Sequence, residues 1–150
     1  MTIEEFWQKY LKESGINPKE RYCESFYFDD DEQTANELLE LVLCGKKKAT
    51  SSSALYYQLT QTPTPKKGDK CIVTDWAGNP RCVIETTSVI HIPFKEMTFE
   101  IAKREGEDEN LDSWIKNHIK FFTNDAEQVG YEFNEDMIVV FEDFEVVFRG

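Results

Sequence analysis

The sequence is poor in the residues that build metal and redox sites. It has two histidines, His91 and His118, and four cysteines, Cys23, Cys44, Cys71 and Cys82, no two of them within four positions of each other. A close-spaced zinc pair is therefore missing, and a mixed Cys/His site would need long-range convergence. The cysteines read as reduced, mostly buried thiols, and neither a metal nor a cofactor is expected. Long apolar runs are missing too. The longest clean one is Met137–Phe141, far short of the ~20 residues of a membrane span. The acidic start Thr2-Ile3-Glu4-Glu5 has neither the basic flank nor the apolar stretch of a secretory leader, so a soluble, cytoplasmic protein is expected. Positive charge is scarce: 17 Lys and Arg stand against 29 Asp and Glu, a formal charge of −12. Phosphate repels such a surface, which excludes broad binding of duplex nucleic acid but leaves room for a small basic site that takes one nucleoside.

What the chain does have is enough apolar material for a real core. At 150 residues, 40% hydrophobic and 13% aromatic, it reads as one folded domain. Repeats and low-complexity tracts do not occur.

Thr2 and Glu5 form a capping-box pattern ahead of a helix with Phe6, Trp7, Tyr10 and Leu11 on one stripe, closed by Gly15 and Pro18. That stripe predicts docking onto the core. Asp29-Asp30-Asp31-Glu32 opens a second helix carrying Ala35, Leu38, Leu39 and Val42, with Gly45 at its C-terminal cap. Acids at a helix start suit the dipole. The run also lacks the glycine and distal Glu of a calcium loop. After a turn-rich loop at 62–69, Cys71–Trp76 and Arg81–Ile92 read as a β-hairpin around Ala77-Gly78-Asn79-Pro80. Pro93-Phe94 ends the second strand, Thr98 starts a short helix that stops near Gly106, and Asp112 or Ser113 caps a further helix with Trp114, Ile115, His118, Ile119 and Phe122. Gly130 marks a turn. Met137–Phe141 and Phe144–Phe148 are one bent strand or two. The class is α+β, with a small barrel expected.

The local basic cluster is Lys46-Lys47-Lys48, directly before the hydroxyl run Thr50–Ser53. A neutral lysine beside a hydroxyl can act as its base and create an amide-cleaving nucleophile; the alternative is a solvated cluster interacting with a helix C-terminus. In a regular strand Lys48 and Thr50 share a face, so Lys47 reaches Thr50 only if the chain bends after Gly45. Trp76, at a strand rim, suits base stacking or core packing. Asp75 and Glu85 point either inward or to water. His118, on an apolar stripe, reads as a satisfied, half-buried histidine, and His91 has no assigned role.

Gly45-Lys46-Lys47-Lys48-Ala49-Thr50 fits the Gly-x-Lys-x-x-Thr signature of the ASCH domain, and Glu105-Gly106-Glu107-Asp108-Glu109-Asn110-Leu111, with Trp114 and His118, resembles that family's second block. Gly68-Asp69 and the Val139-Val140-Phe141 and Phe144 endings are similar to its remaining core. The resemblance covers residues 25–150 and leaves 1–24 as a helical extension. It implies a PUA-like fold, a small β-barrel with flanking helices, and a positively lined cleft for a modified nucleoside or short single-stranded RNA. Some small members remove acetate from N(4)-acetylcytidine. By that resemblance Lys47 is the base, Thr50 the nucleophile, and Glu109 orients the lysine or handles the leaving-group proton. Lys46, Lys48, Ser52 and Trp76 line the cleft. Those hydrolases carry Arg two places after the Thr; here the position is Ser52, which removes a cation that could hold substrate. The other implied role for the same cleft is non-catalytic RNA binding or regulation.

Overall fold

A computed structural model describes residues 1–150. Five strands form one mixed sheet in the order β1-β3-β4-β5-β2. They are β1 (Ser25–Phe26), β2 (Ala49–Ser53), β3 (Lys70–Thr74), β4 (Pro80–Pro93) and β5 (Ile138–Phe148). The helices are α1 (Ile3–Ser14), α2 (Glu32–Leu43), α3 (Ala54–Thr60), α4 (Phe99–Ala102) and α5 (Leu111–Val129). The α+β class is as expected from the sequence. The expected barrel differs from what the strands form: β1 and β2 lie at opposite ends of the order, so the sheet is open.

The chain divides into two compact units. The first comprises Met1–Lys47, Lys67–Thr87 and Phe144–Gly150; the second comprises Lys48–Lys66 and Ser88–Asp143.

In the first unit, strand alternation sends neighbouring side chains to two separate cores. Ile72 and Val83 join Phe6, Trp7, Tyr10 and Leu11 of α1. Val73, Cys82 and Ile84 join Leu39 and Val42 of α2, with Phe28 and Phe144. The β3–β4 hairpin is antiparallel, with Cys71 opposite Ile84 and Ile72 opposite Val83. The Thr2–Glu5 capping box is present, each bond at 3.1 Å. Trp7 is fully buried and donates its indole N–H to the Glu20 carbonyl at 2.9 Å. Asp31 caps α2 through the Thr34 N–H at 2.8 Å. Gly45 sits at φ +83°, where the backbone N–H groups of Lys46 and Lys47 both reach the Leu41 carbonyl. That left-handed residue lets the chain leave the helix without steric cost.

In the second unit, Ala49, Val139 and Phe141 pack with Phe94, Trp114 and Phe122. Strand β5 is a single strand, so the two apolar runs that flank Glu142-Asp143 are continuous. Helix α5 starts two or three residues earlier than expected: Asn110, not Asp112 or Ser113, is its N-cap and accepts from the Ser113 N–H at 2.9 Å. Thr98 and Gly106 bound the short helical segment between them, as expected. Two elements went unpredicted. Strand β1 is two residues long, and α3 has no buried residue to give it an apolar stripe. No helix is long and apolar enough to cross a membrane.

Candidate functional site

Strand β2 carries the hydroxyl run, and its burial alternates. Ala49, Ser51 and Ser53 are buried, while Thr50 and Ser52 are half-buried on the other face. Pairing with β5 fixes what each meets: Ser51 opposes Phe141, and Thr50 opposes Glu142. Side chains of directly opposed residues start about 4.5–5.5 Å apart. Glu142, which is half-buried, is therefore the cross-strand neighbour of Thr50. Glu142 was not singled out in the sequence. Its signal is the acidic break in an otherwise apolar strand.

On the opposite face Ser51 donates its hydroxyl to Glu105 Oε2 at 2.8 Å. The same oxygen accepts the Trp114 indole N–H at 2.7 Å. His118 Nε2 lies 3.4 Å from this carboxylate, and its Nδ1 is 2.9 Å from the Trp114 carbonyl. The Trp114 and His118 rings stack with centroids 4.0 Å apart. Glu105 is only 2% exposed, and polar groups from Ser51, Trp114 and His118 surround its carboxyl. Burial disfavours a charged His118 imidazole. The hydrogen bond and charge of Glu105 outweigh that, and its pKa stands above the ordinary histidine value. The sequence reading of His118 as a satisfied histidine holds. Within the acidic run 105–109, Glu105 is the buried member.

Lys47 is 2% exposed, with its side-chain nitrogen 5.2 Å from the Phe28 ring centroid in the first unit. Lys46, Lys48 and Glu109 are exposed, the last in the loop before α5. Trp76 is half-buried in the turn after β3, with its backbone N–H on the Asn36 side chain at 3.0 Å. Asp75 braces that turn through Asn79, and Glu85 pairs with Lys70 at 3.5 Å. Arg104, not singled out beforehand, clamps the start of β2. Its carbonyl accepts from the Lys48 N–H at 3.0 Å, and its guanidinium holds Asp143 at 2.7 Å.

All four cysteines are free, yet Cys82 alone is buried and Cys23 and Cys44 are exposed, against the expectation of mostly buried thiols. Loss of solvent around Cys82 pushes its thiol up to about 12, which keeps it protonated and inert. The carboxylates of Asp29, Asp30 and Asp31 lie within 4.8 Å of one another and are the one acidic group close enough to share an ion. Capping of α2 by Asp31 already accounts for that cluster.

Comparison with known proteins follows the same outline. A family model for the ASCH domain matches residues 24–148. The solved ASCH domain from Lactobacillus crispatus JV V101 is 34% identical, with a TM-score of 0.87, over 97% of this chain and 94% of that one. A solved protein from Enterococcus faecalis V583 is 31% identical, with a TM-score of 0.90, over 98% of this chain and 88% of that one. A third structure, of a hypothetical protein, is 19% identical with a TM-score of 0.53 and shows a shared fold alone. No curated protein matches the chain in sequence.

Proposed function

The chain belongs to the ASCH domain family, and on that premise we propose that it binds a modified nucleoside and hydrolyses its N-acyl group. The observation that carries this reading is the cross-strand pair of Thr50 and Glu142 on the half-buried face of β2. A nucleophile must be reachable and must have a partner that orients its proton. Thr50 is half-buried and stands opposite Glu142 across the strand pair, which supports this reading. Ser51 does not meet these requirements, since its hydroxyl is buried and already donates to Glu105.

In this reading the Thr50 oxygen attacks the acyl carbonyl of N(4)-acetylcytidine and its proton passes to the base, the role that the ASCH resemblance gives Lys47. The C–N bond breaks, the cytidine amine takes that proton, and an acyl ester remains on Thr50. Water then cleaves the ester and releases acetate, returning the proton to Thr50. Glu142 positions the Thr50 hydroxyl. Glu105, hydrogen-bonded to Ser51, holds β2 in place. Glu109, which the resemblance casts as orienting the lysine or handling the leaving-group proton, is exposed in the loop before α5. We read the open sheet as a PUA-like core, with residues 1–24 as an extension of a 25–150 domain. The free thiols suit a cytoplasmic setting.

A second reading is a non-catalytic module for short single-stranded RNA. The exposed Lys46 and Lys48 favour it. One experiment separates the two. Purified protein is given N(4)-acetylcytidine, and in parallel a short RNA at several salt concentrations. Cytidine release that disappears in Thr50→Ala supports hydrolysis. No release, with RNA affinity that falls steeply with salt and with Lys46→Ala/Lys48→Ala, supports the module.

A further inference from the structure

Two aromatic side chains in the first unit belong to none of the apolar cores. Tyr27 is 42% exposed and Trp76 is half-buried, with ring centroids 4.7 Å apart and planes at 56°. Their exposure follows from the local sequence. Phe26 and Phe28 pack edge-to-face at 5.0 Å against the α2 core, so alternation drives the intervening Tyr27 outward. Trp76 sits on a rigid turn. Both Asp75 carboxylate oxygens accept from Asn79, at 2.9 and 3.1 Å, and the Asp75 N–H donates to the Asn79 carbonyl at 3.0 Å. The Asn36 side chain of α2 accepts from the Trp76 backbone N–H at 3.0 Å, and β1 pairs with β3 with Phe26 beside Val73, tying the two aromatic segments together. Exposed aromatic rings held this firmly are costly to leave against water and well prepared to stack on a flat ring without ordering cost. The chain around them is acidic: Glu24, Asp29, Asp30 and Asp31 flank Tyr27, and Asp75 precedes Trp76.

We infer that the Tyr27–Trp76 ledge is a stacking site for an uncharged planar heterocycle of the nucleobase class, and that its acidic flanks select a nucleoside over the corresponding nucleotide. The identity of the ligand rests on the nucleoside reading above; the stacking itself does not depend on hydrolysis.

Tryptophan fluorescence tests this directly, because Trp7 and Trp114 are fully buried and Trp76 is the one a ligand can reach. The intact protein is titrated with cytidine and with cytidine 5′-monophosphate. Saturable quenching by cytidine is expected, with the monophosphate at least about threefold weaker at low salt and the gap closing at high salt. Tyr27→Ala is expected to weaken cytidine about tenfold, in the range measured for base–aromatic stacking. Trp76→Leu, read by calorimetry, is expected to do the same. Absence of quenching by millimolar cytidine, an unaltered affinity in Tyr27→Ala, or tighter binding of the monophosphate overturns the inference. Hydrolysis without quenching removes the ledge and spares the catalytic reading. Quenching without hydrolysis supports the ledge and removes the catalytic reading.

Discussion

Ser51 and Glu105 lie 54 residues apart in the chain, yet the serine hydroxyl donates to the buried carboxylate at 2.8 Å. That bond ties the catalytic-candidate strand to the short helical segment ahead of α5. It also occupies the Ser51 hydroxyl, which is thereby withdrawn from chemistry. Trp114 completes the arrangement at the same carboxylate oxygen.

Removing the Trp114 donor should therefore weaken the protein through Glu105. Trp114→Phe keeps an aromatic side chain, smaller than the indole, and deletes the N–H, leaving a buried carboxyl one bond short. The expected loss is about 1–3 kcal/mol, measured by urea denaturation. In a Glu105→Gln background the loss should shrink, because the buried charge is gone. Strictly additive effects of the two changes would argue that the bond carries no coupling.

The His118 pKa gives a pH signature. Its folded value stands above the unfolded value of about 6.5, chiefly because Glu105 outweighs the burial penalty. Protons thus bind the folded state more tightly. The resulting stability is fully present below the unfolded pKa and is lost as pH rises through the folded one. Urea midpoints between pH 5 and pH 9 should show that decline, superimposed on other titrations. His118→Gln should remove the component. An NMR-titrated imidazole below 6.5 would contradict it.

Helix α1 is integral to the first unit, since its apolar stripe covers Ile72 and Val83. Trp7→Ala should cost about 3–5 kcal/mol, as for other large aromatic truncations, whereas Thr2→Ala should cost about 1 kcal/mol through the cap alone. A chain lacking residues 1–24 should melt at markedly lower temperature or without cooperativity. An unchanged melting curve would show that α1 is dispensable for the core.

How far the residues alone disclosed this arrangement depends on the range of each interaction. The α1 cap, the α2 stripe, the hairpin and the breaks at Pro93 and Gly106 were readable, because caps, turns and periodicity are encoded within a few positions. Strand β1 and helix α3 were not, because two extended residues and a helix without buried residues leave no periodic trace. The candidate site divides the same way. Thr50 was visible from its motif, but its partner Glu142 depends on strand register, and the burial of Glu105 depends on Ser51, Trp114 and His118 converging from distant positions. Openness of the sheet is also a long-range property, which composition does not disclose.

If Glu142 positions the Thr50 hydroxyl, Glu142→Gln should lower kcat for N(4)-acetylcytidine by about tenfold to a hundredfold, with KM little changed. Glu142→Asp should recover part of the rate. A purely structural Glu142 would instead lower stability and leave the kcat of the folded fraction intact.

The most direct test of the account is the initial rate of cytidine release from N(4)-acetylcytidine by wild type, Thr50→Ser and Thr50→Ala, each shown to be folded by circular dichroism. The account predicts release of cytidine and acetate in equal amounts by wild type, a retained fraction in Thr50→Ser, and a loss of roughly a thousandfold or more in Thr50→Ala. Equal rates in wild type and Thr50→Ala, or no release by folded wild type, would contradict it.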